Sequence, residues 1–401
     1  MKTHPNILVT GVVLATVGAV LLYPTIRGNA AVTPPQPRHG IIAPIGAKRV
    51  EVVFVLDTTG SMGGLIHAAK EKIWSIASTL AQAQQAPEIS MGLVAYRDRG
   101  DAYVTQVVDL NRDLDSMYAK LMDFAADGGG DGPEAVNDAL EAAIQRMSWS
   151  QDQSTYKVVF LVGDAPPHMD YQDDAKYPQV VAAAAAKGIV VNTIQCGGLS
   201  DTVAPWQHIA SLGHGRYFTV EQAGSAVAVE TPFDSRIATL AAELDSTRLY
   251  YGSAEERAAM QSKVEATARL NEEASVTARA RRGAFNVTSA AGMDNFLGNR
   301  ELVDDVASGR VDVAAVPPAQ LPASVAALPV DAQRELLAAT AEKREELKRQ
   351  IADLAAQRDA YIETQVGADG GADTSLDQQI YDAVREQAAP LGLEYENGPR
   401  F

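Results

Sequence analysis

Val50-Glu51-Val52-Val53-Phe54-Val55-Leu56-Asp57-Thr58-Thr59-Gly60-Ser61-Met62 carries both the fold and the candidate chemistry. Its first half is a β-branched, nearly continuous apolar run, as a strand covered on both faces requires. Its second half changes abruptly to an acid, hydroxyls and glycine. Asp57, Thr59 and Ser61 set three hard oxygen donors along one short loop. Such donors suit magnesium, manganese or calcium rather than zinc or copper. In open α/β sheets, ligands bind beyond the carboxyl ends of the strands, where this loop falls.

Outward from this stretch, strands and helices alternate. Further strands read at Ser90–Tyr96, Tyr103–Val108, Val158–Val162, Ile189–Ile194 and Arg216–Val220. After the first strand, Leu65, Ile66, Ala69, Ile73, Ile76 and Leu80 recur at helical spacing. Helices are expected around Leu114–Phe124, Pro133–Met147, Gln179–Lys187 and Trp206–Leu212. The alternation predicts an open, mostly parallel, doubly wound α/β sheet over residues 48–225. Asp164 ends the Val158–Val162 strand and can converge with Asp57 at the same sheet edge. A third cluster is Gly128-Gly129-Gly130-Asp131-Gly132-Pro133-Glu134, in which glycines free the backbone and Pro133 suits a first helical turn.

Asp57-Thr58-Thr59-Gly60-Ser61 resembles the Asp-x-Ser/Thr-x-Ser signature of von Willebrand factor type A (VWA) domains. The strand-helix order from Lys48 to about Glu221 is similar too. Tyr96-Arg97-Asp98 and Gly163-Asp164-Ala165-Pro166-Pro167-His168 resemble a branch found in bacteria and beside eukaryotic alpha-kinases. The resemblance implies a metal-ion-dependent adhesion site with Asp57, Thr59, Ser61 and Asp164 as ligands of Mg2+, or of Mn2+ or Ca2+. Two departures follow. Asp131 stands where the family has a middle-loop threonine, and Ala165 replaces the usual glycine. If Asp131 coordinates, three carboxylates face a dication and the local charge is about −1 instead of neutral. The alternative is that Asp131 caps the helix at Pro133.

Beyond Glu221 the strands stop and residues 226–401 read as an Ala-rich helical hairpin region. A capping box at Ser253-Ala254-Glu255-Glu256 opens a helix expected to reach Arg281. A second long helix spans about Asp331 to Val366, with Arg344 and Arg358 interrupting its apolar seam, which argues against a long coiled coil. At the other end, residues 1–30 read as a signal peptide or signal anchor. An uncharged run from Ile7 to Tyr23 follows Lys2, and Gly28-Asn29-Ala30 offers a cleavage site. Cleavage and retention as an inner-membrane anchor both stay open. Residues 31–47 read as a Pro-rich linker. The expected location is the periplasm or cell envelope.

Net charge narrows the partners. Of the total of −17, the N-terminal 47 residues carry +3, the sheet region −9 and the helical region −11. Two acidic regions repel nucleic acid and anionic lipid, which leaves membrane contact to the N-terminal segment. The single cysteine, Cys196, permits no intrachain disulfide and reads as a buried strand-end thiol. Ser61 lies in no Gly-x-Ser-x-Gly elbow, and neither a phosphate loop nor a Gly-x-Gly-x-x-Gly occurs, so no enzyme class is favoured. Arg99-Gly100-Asp101 spells an integrin-recognition tripeptide but reads better as a turn in a charged loop. His168 follows Asp164 closely yet has no evident partner in the sequence. The expected function is an exported, divalent-metal-dependent protein-binding or adhesion module acting on an unidentified protein partner. Two alternatives are an envelope structural or assembly component that binds through its helices, and an accessory subunit of an AAA-type ATPase.

Overall fold

A computed structural model describes residues 48–130, 132–221, 229–369, 376–396 and Gly398. The expected signal or anchor segment and the linker lie outside the described residues, as does Asp131. Among the described residues, no helix is long and apolar enough to cross a membrane.

All six expected strands form: β1 (Arg49–Asp57), β2 (Glu88–Tyr96), β3 (Thr105–Asn111), β4 (Tyr156–Gly163), β5 (Ile189–Cys196) and β6 (His214–Val220). They make one sheet in the order β3-β2-β1-β4-β5-β6. All neighbours are parallel except β3, which runs antiparallel to β2 at the edge. The β1 run explains its central place. Val50, Val52, Phe54 and Leu56 feed one apolar layer, while Val53 and Val55 feed the other. Alternate side chains point to opposite faces, so a strand buried on both must be apolar throughout.

Helices α1 (Gly63–Leu80) and α2 (Leu114–Asp123) cover the first face. Helices α3 (Val136–Gln145), α4 (Tyr177–Ala186) and α5 (Ser200–Leu212) cover the second. The fold class expected from the sequence is the one observed. It is a six-stranded, mostly parallel sheet flanked by helices, followed by a helical C-terminal region.

That region differs in detail from a hairpin. The Ser253 capping box forms as expected, with Ser253 and Glu256 exchanging side-chain-to-backbone hydrogen bonds. The helix it opens, α7 (Ala254–Glu273), stops short of Arg281 and follows α6 (Asp234–Asp245). Ser275 is the physical reason for the early stop. Its hydroxyl accepts from the Ala278 N–H, capping a new helix α8 (Val276–Thr288), and donates to Glu71 of α1. The break aims Arg281 and Arg282 inward. Helices α9 (Ala290–Leu297), α10 (Leu302–Ala307), α11 (Val330–Asp369) and α12 (Leu376–Ala388) follow. The long helix α11 packs on α6, α8 and α10. Arg344 and Arg358, which interrupt its apolar seam, are buried against Glu301 and Asp234.

Sheet and helices share a core. Leu270 of α7, Phe285 of α8 and Ile380 and Val384 of α12 join Trp74 of α1 and the first sheet face in one apolar cluster. The Trp74 ring lies 5.9 Å from that of Phe285. Tyr395 closes the cluster by donating from its hydroxyl to the Leu80 carbonyl.

Candidate metal centre

The candidate residues stand where three strands end. Asp57 closes β1 beside Tyr96, the last residue of β2, and Asp164 directly follows β4. Asp57 is fully buried. Its Oδ1 accepts from the Thr59 amide at 2.9 Å and from the Thr59 hydroxyl at 2.6 Å. That hydroxyl lies 3.4 Å from Ser61 Oγ. The loop therefore folds over its own aspartate and lines up the three donors singled out in the sequence. Asp57 Oδ2 is sealed from solvent without a hydrogen-bond partner. Burial pushes the Asp57 carboxyl up to about 7. The Thr59 hydroxyl and amide hold it down in part, and the nearby Asp164 charge pushes it further up.

Glu134 is the residue that sequence reasoning passed over in favour of Asp131. It too is buried, with Oε2 unpartnered. Burial pushes its carboxyl up to about 9, and the negative charges of Asp57, Asp98, Asp101 and Asp164 add to the rise. Its backbone is fixed to the loop after β4: the Glu134 N–H donates to the Pro166 carbonyl, and the His168 N–H donates back. The available signal was Glu134 itself, two residues into the helix start that Pro133 marks, where a carboxylate facing inward has no structural partner to expect. The Tyr96 hydroxyl is a third buried, unpartnered group, and its proton is held more tightly by burial and by Asp57, Glu134 and Asp164.

Glycines bring these groups together. Gly129, in the left-handed region at φ 80°, passes between Thr59 and Glu134, so that a Cβ there would lie 3.3 Å from the first and 3.4 Å from the second. At Gly163 a side chain would strike the Tyr96 hydroxyl and Asp57. The Gly60 N–H donates to the Gly128 carbonyl and the Asp127 N–H to the Thr58 carbonyl, tying the first loop to the glycine-rich one.

A rim of polar contacts braces the loops. Asp101 accepts from the amides of Asp98 and Gly129, which gives Arg99-Gly100-Asp101 a turn-forming role. His168 is buried, stacks on Tyr171 with ring centroids 4.1 Å apart, and meets Asp98 and Asp170. The Tyr171 hydroxyl donates to Asp98. Asp164 is anchored by its carbonyl, which accepts from the Thr202 hydroxyl. Cys196 is buried, and burial pushes its thiol up.

The donor chemistry fits a divalent cation. Two buried carboxylate oxygens without partners stand beside two hydroxyls, and buried charge is tolerated only when compensated. Among the described residues, no three His, Cys, Asp or Glu side chains form a ligand cage by themselves.

Residues 51–231 match the family model of the von Willebrand factor A domain. The sheet region is VWA-like. Within it, 114 residues are 38% identical to the von Willebrand factor A domain-containing protein 7 of Rattus norvegicus, covering 28% of this chain and 12% of that one. A match over 120 residues is 28% identical to the alpha-protein kinase vwkA of Dictyostelium discoideum, covering 30% of this chain and 19% of the relative. The chain thus spans only a small part of the length of these relatives. Among solved structures, proximal thread matrix protein 1 from the mussel byssus, with a zinc-occupied MIDAS motif, is 17% identical. It covers 43% of this chain and 42% of its own, at a TM-score of 0.34.

Proposed function

We propose that the VWA-like domain is an exported protein-binding module whose grip on its partner depends on a divalent cation. The observation that carries this reading is the pair of buried, unpartnered carboxylate oxygens on Asp57 and Glu134 beside the Thr59 and Ser61 hydroxyls. Asp57, Thr59, Ser61, Glu134 and Asp164 would hold Mg2+, Mn2+ or Ca2+, with Asp131 a further candidate from the same loop. A bound dication supplies a Lewis-acidic point that an oxygen group of the partner can complete. Met169 and Leu199, in the loops after β4 and β5, are two of the four large hydrophobics that stand exposed among the described residues. They offer apolar contacts beside a polar centre, a combination that suits protein recognition. VWA domains in general serve protein–protein interaction and adhesion, and this reading assigns the chain no catalytic step.

Calorimetry with Mg2+ or Mn2+ should give one site on the native chain and none on Asp57→Ala. Unchanged affinity and stoichiometry would falsify the assignment. Capture of a partner from envelope extract should disappear in EDTA. For location, residues 1–50 fused to a reporter active only outside the cytoplasm should give signal, and activity confined to the cytosol would end the idea of export.

A further inference from the structure

A cavity of about 500 Å³ opens between α1 of the sheet domain and helices α8 and α11 of the helical region. Its volume lies in the range of small-molecule sites, roughly 300–1,000 Å³. Alanines from α8 and α11 supply much of its wall, and Arg281, Arg358 and Gln82 share its polar part with the carboxylates of Asp359 and Glu363.

Arg281 is the informative residue. It is 97% buried, from an exposure of 3%. Its Nη1 donates to the Glu71 carbonyl at 2.8 Å, while Nε and Nη2 have no acceptor. Those two nitrogens form one edge of the guanidinium, the fork that grips a carboxylate or phosphate through two parallel hydrogen bonds. Both amide atoms of Gln82, on the same cavity, are likewise buried without partners. Of the carboxylates whose charge acts on Arg281, Asp377 is engaged by Lys72, Asp234 by Arg358 and the Glu71 side chain by Ser275, while Asp359 and Glu363 line the same cavity. Arg281 feels the shortfall. Burial lowers its pKa to about 10, Arg358 lowers it too, and the three carboxylates only partly compensate.

We propose that this cavity binds a small oxyanion, a carboxylate or phosphate group, held by the Nε–Nη2 edge of Arg281 and the amide of Gln82. Such a ligand would bridge the sheet domain and the helical region and report on both. The site lies on α1 and the helices, apart from the strand ends, and stands independently of the metal reading.

The test is melting of, and calorimetry on, the full chain with inorganic phosphate and with succinate, at constant ionic strength set by chloride. EDTA is present throughout, so that no cation at the sheet edge draws the anion. A saturable rise in Tm with either probe is expected, and the stronger arm identifies the chemistry. Arg281→Lys keeps the charge but loses the fork, and should weaken binding at least about tenfold. Ala356→Phe, from the exposed wall of the cavity, should weaken it similarly while leaving Arg281 intact. No saturable shift with either probe, or binding unchanged in Ala356→Phe, overturns the proposal.

Discussion

Two buried aspartates, Asp57 at the sheet edge and Asp115 at the seam with the helices, are both wholly shielded from solvent and meet opposite fates. Asp115 is surrounded by donors: Arg282 Nε at 2.7 Å and Nη2 at 2.6 Å, Thr267 Oγ1 at 2.8 Å and Asn295 Nδ2 at 3.2 Å. Burial alone would raise its pKa, yet Arg282 and Lys263 hold it well below the ordinary carboxylate range. Asp57 is steadied by Thr59 of its own loop and by the Asp164 backbone, faces no cation, and is pushed up to about 7. Burial is the same; compensation is not. A fully paired buried charge is architecture, and an incompletely paired one beside hydroxyls is a place for something else to bind.

The largest test of this contrast removes the seam altogether. A fragment of residues 45–230 loses Leu270, Phe285, Ile380, Val384 and Tyr395 from the cluster around Trp74. It should show no cooperative thermal transition and should expose apolar surface to dye, whereas a cooperative melt would mean that the sheet domain is self-sufficient. Next in size is Asp115→Ala, which leaves Arg282 buried with only Asp245 as counter-charge. Loss of one partner of a buried pair costs about 3–5 kcal/mol, readable in urea unfolding at neutral pH. The sign with pH follows from the depressed value. Stability from Asp115 is present above its unfolded pKa of about 3.9 and is lost as pH falls below it. The gap between native and variant should therefore narrow in acid; a gap independent of pH would argue against the ion pair. Smallest is Glu134→Gln, which keeps the shape and removes the charge. Metal affinity should drop by about 1.5–3 kcal/mol, or roughly tenfold to a hundredfold. Stability without metal should hold, since burial already keeps the carboxyl protonated at neutral pH and the amide matches it in shape and polarity. A stability loss with metal affinity intact would place Glu134 with Asp115, as architecture.

The sheet was legible because its signals are local. The apolar run of β1 and the turns after each strand announce themselves within a few residues, and Asp57-Thr58-Thr59-Gly60-Ser61 sits on one loop. What escaped is long-range. Asp115 and Arg282 meet across 167 positions, and neither residue's neighbours hint at the other. Arg344 and Arg358 could be read as breaks in an apolar seam but not as partners of Glu301 and Asp234. Glu134 was visible in the glycine-rich stretch. Its inward direction, though, depends on Gly129 and on the loop after β4, which pattern reading cannot fold.

The loop after β1 runs straight into α1, and α1 is held along its length. Lys72 pairs with Asp377, the Glu71 carbonyl takes Arg281, and the Leu80 carbonyl takes Tyr395. A helix so pinned has little freedom to slide or unwind, and the Asp57–Ser61 donors inherit its fixity. Ligands that meet a preformed geometry lose no affinity to an unfavourable conformational equilibrium. Arg281, Asp377 and Tyr395 thus act as ballast for the edge of the sheet, holding the loop after β1 in a standing geometry.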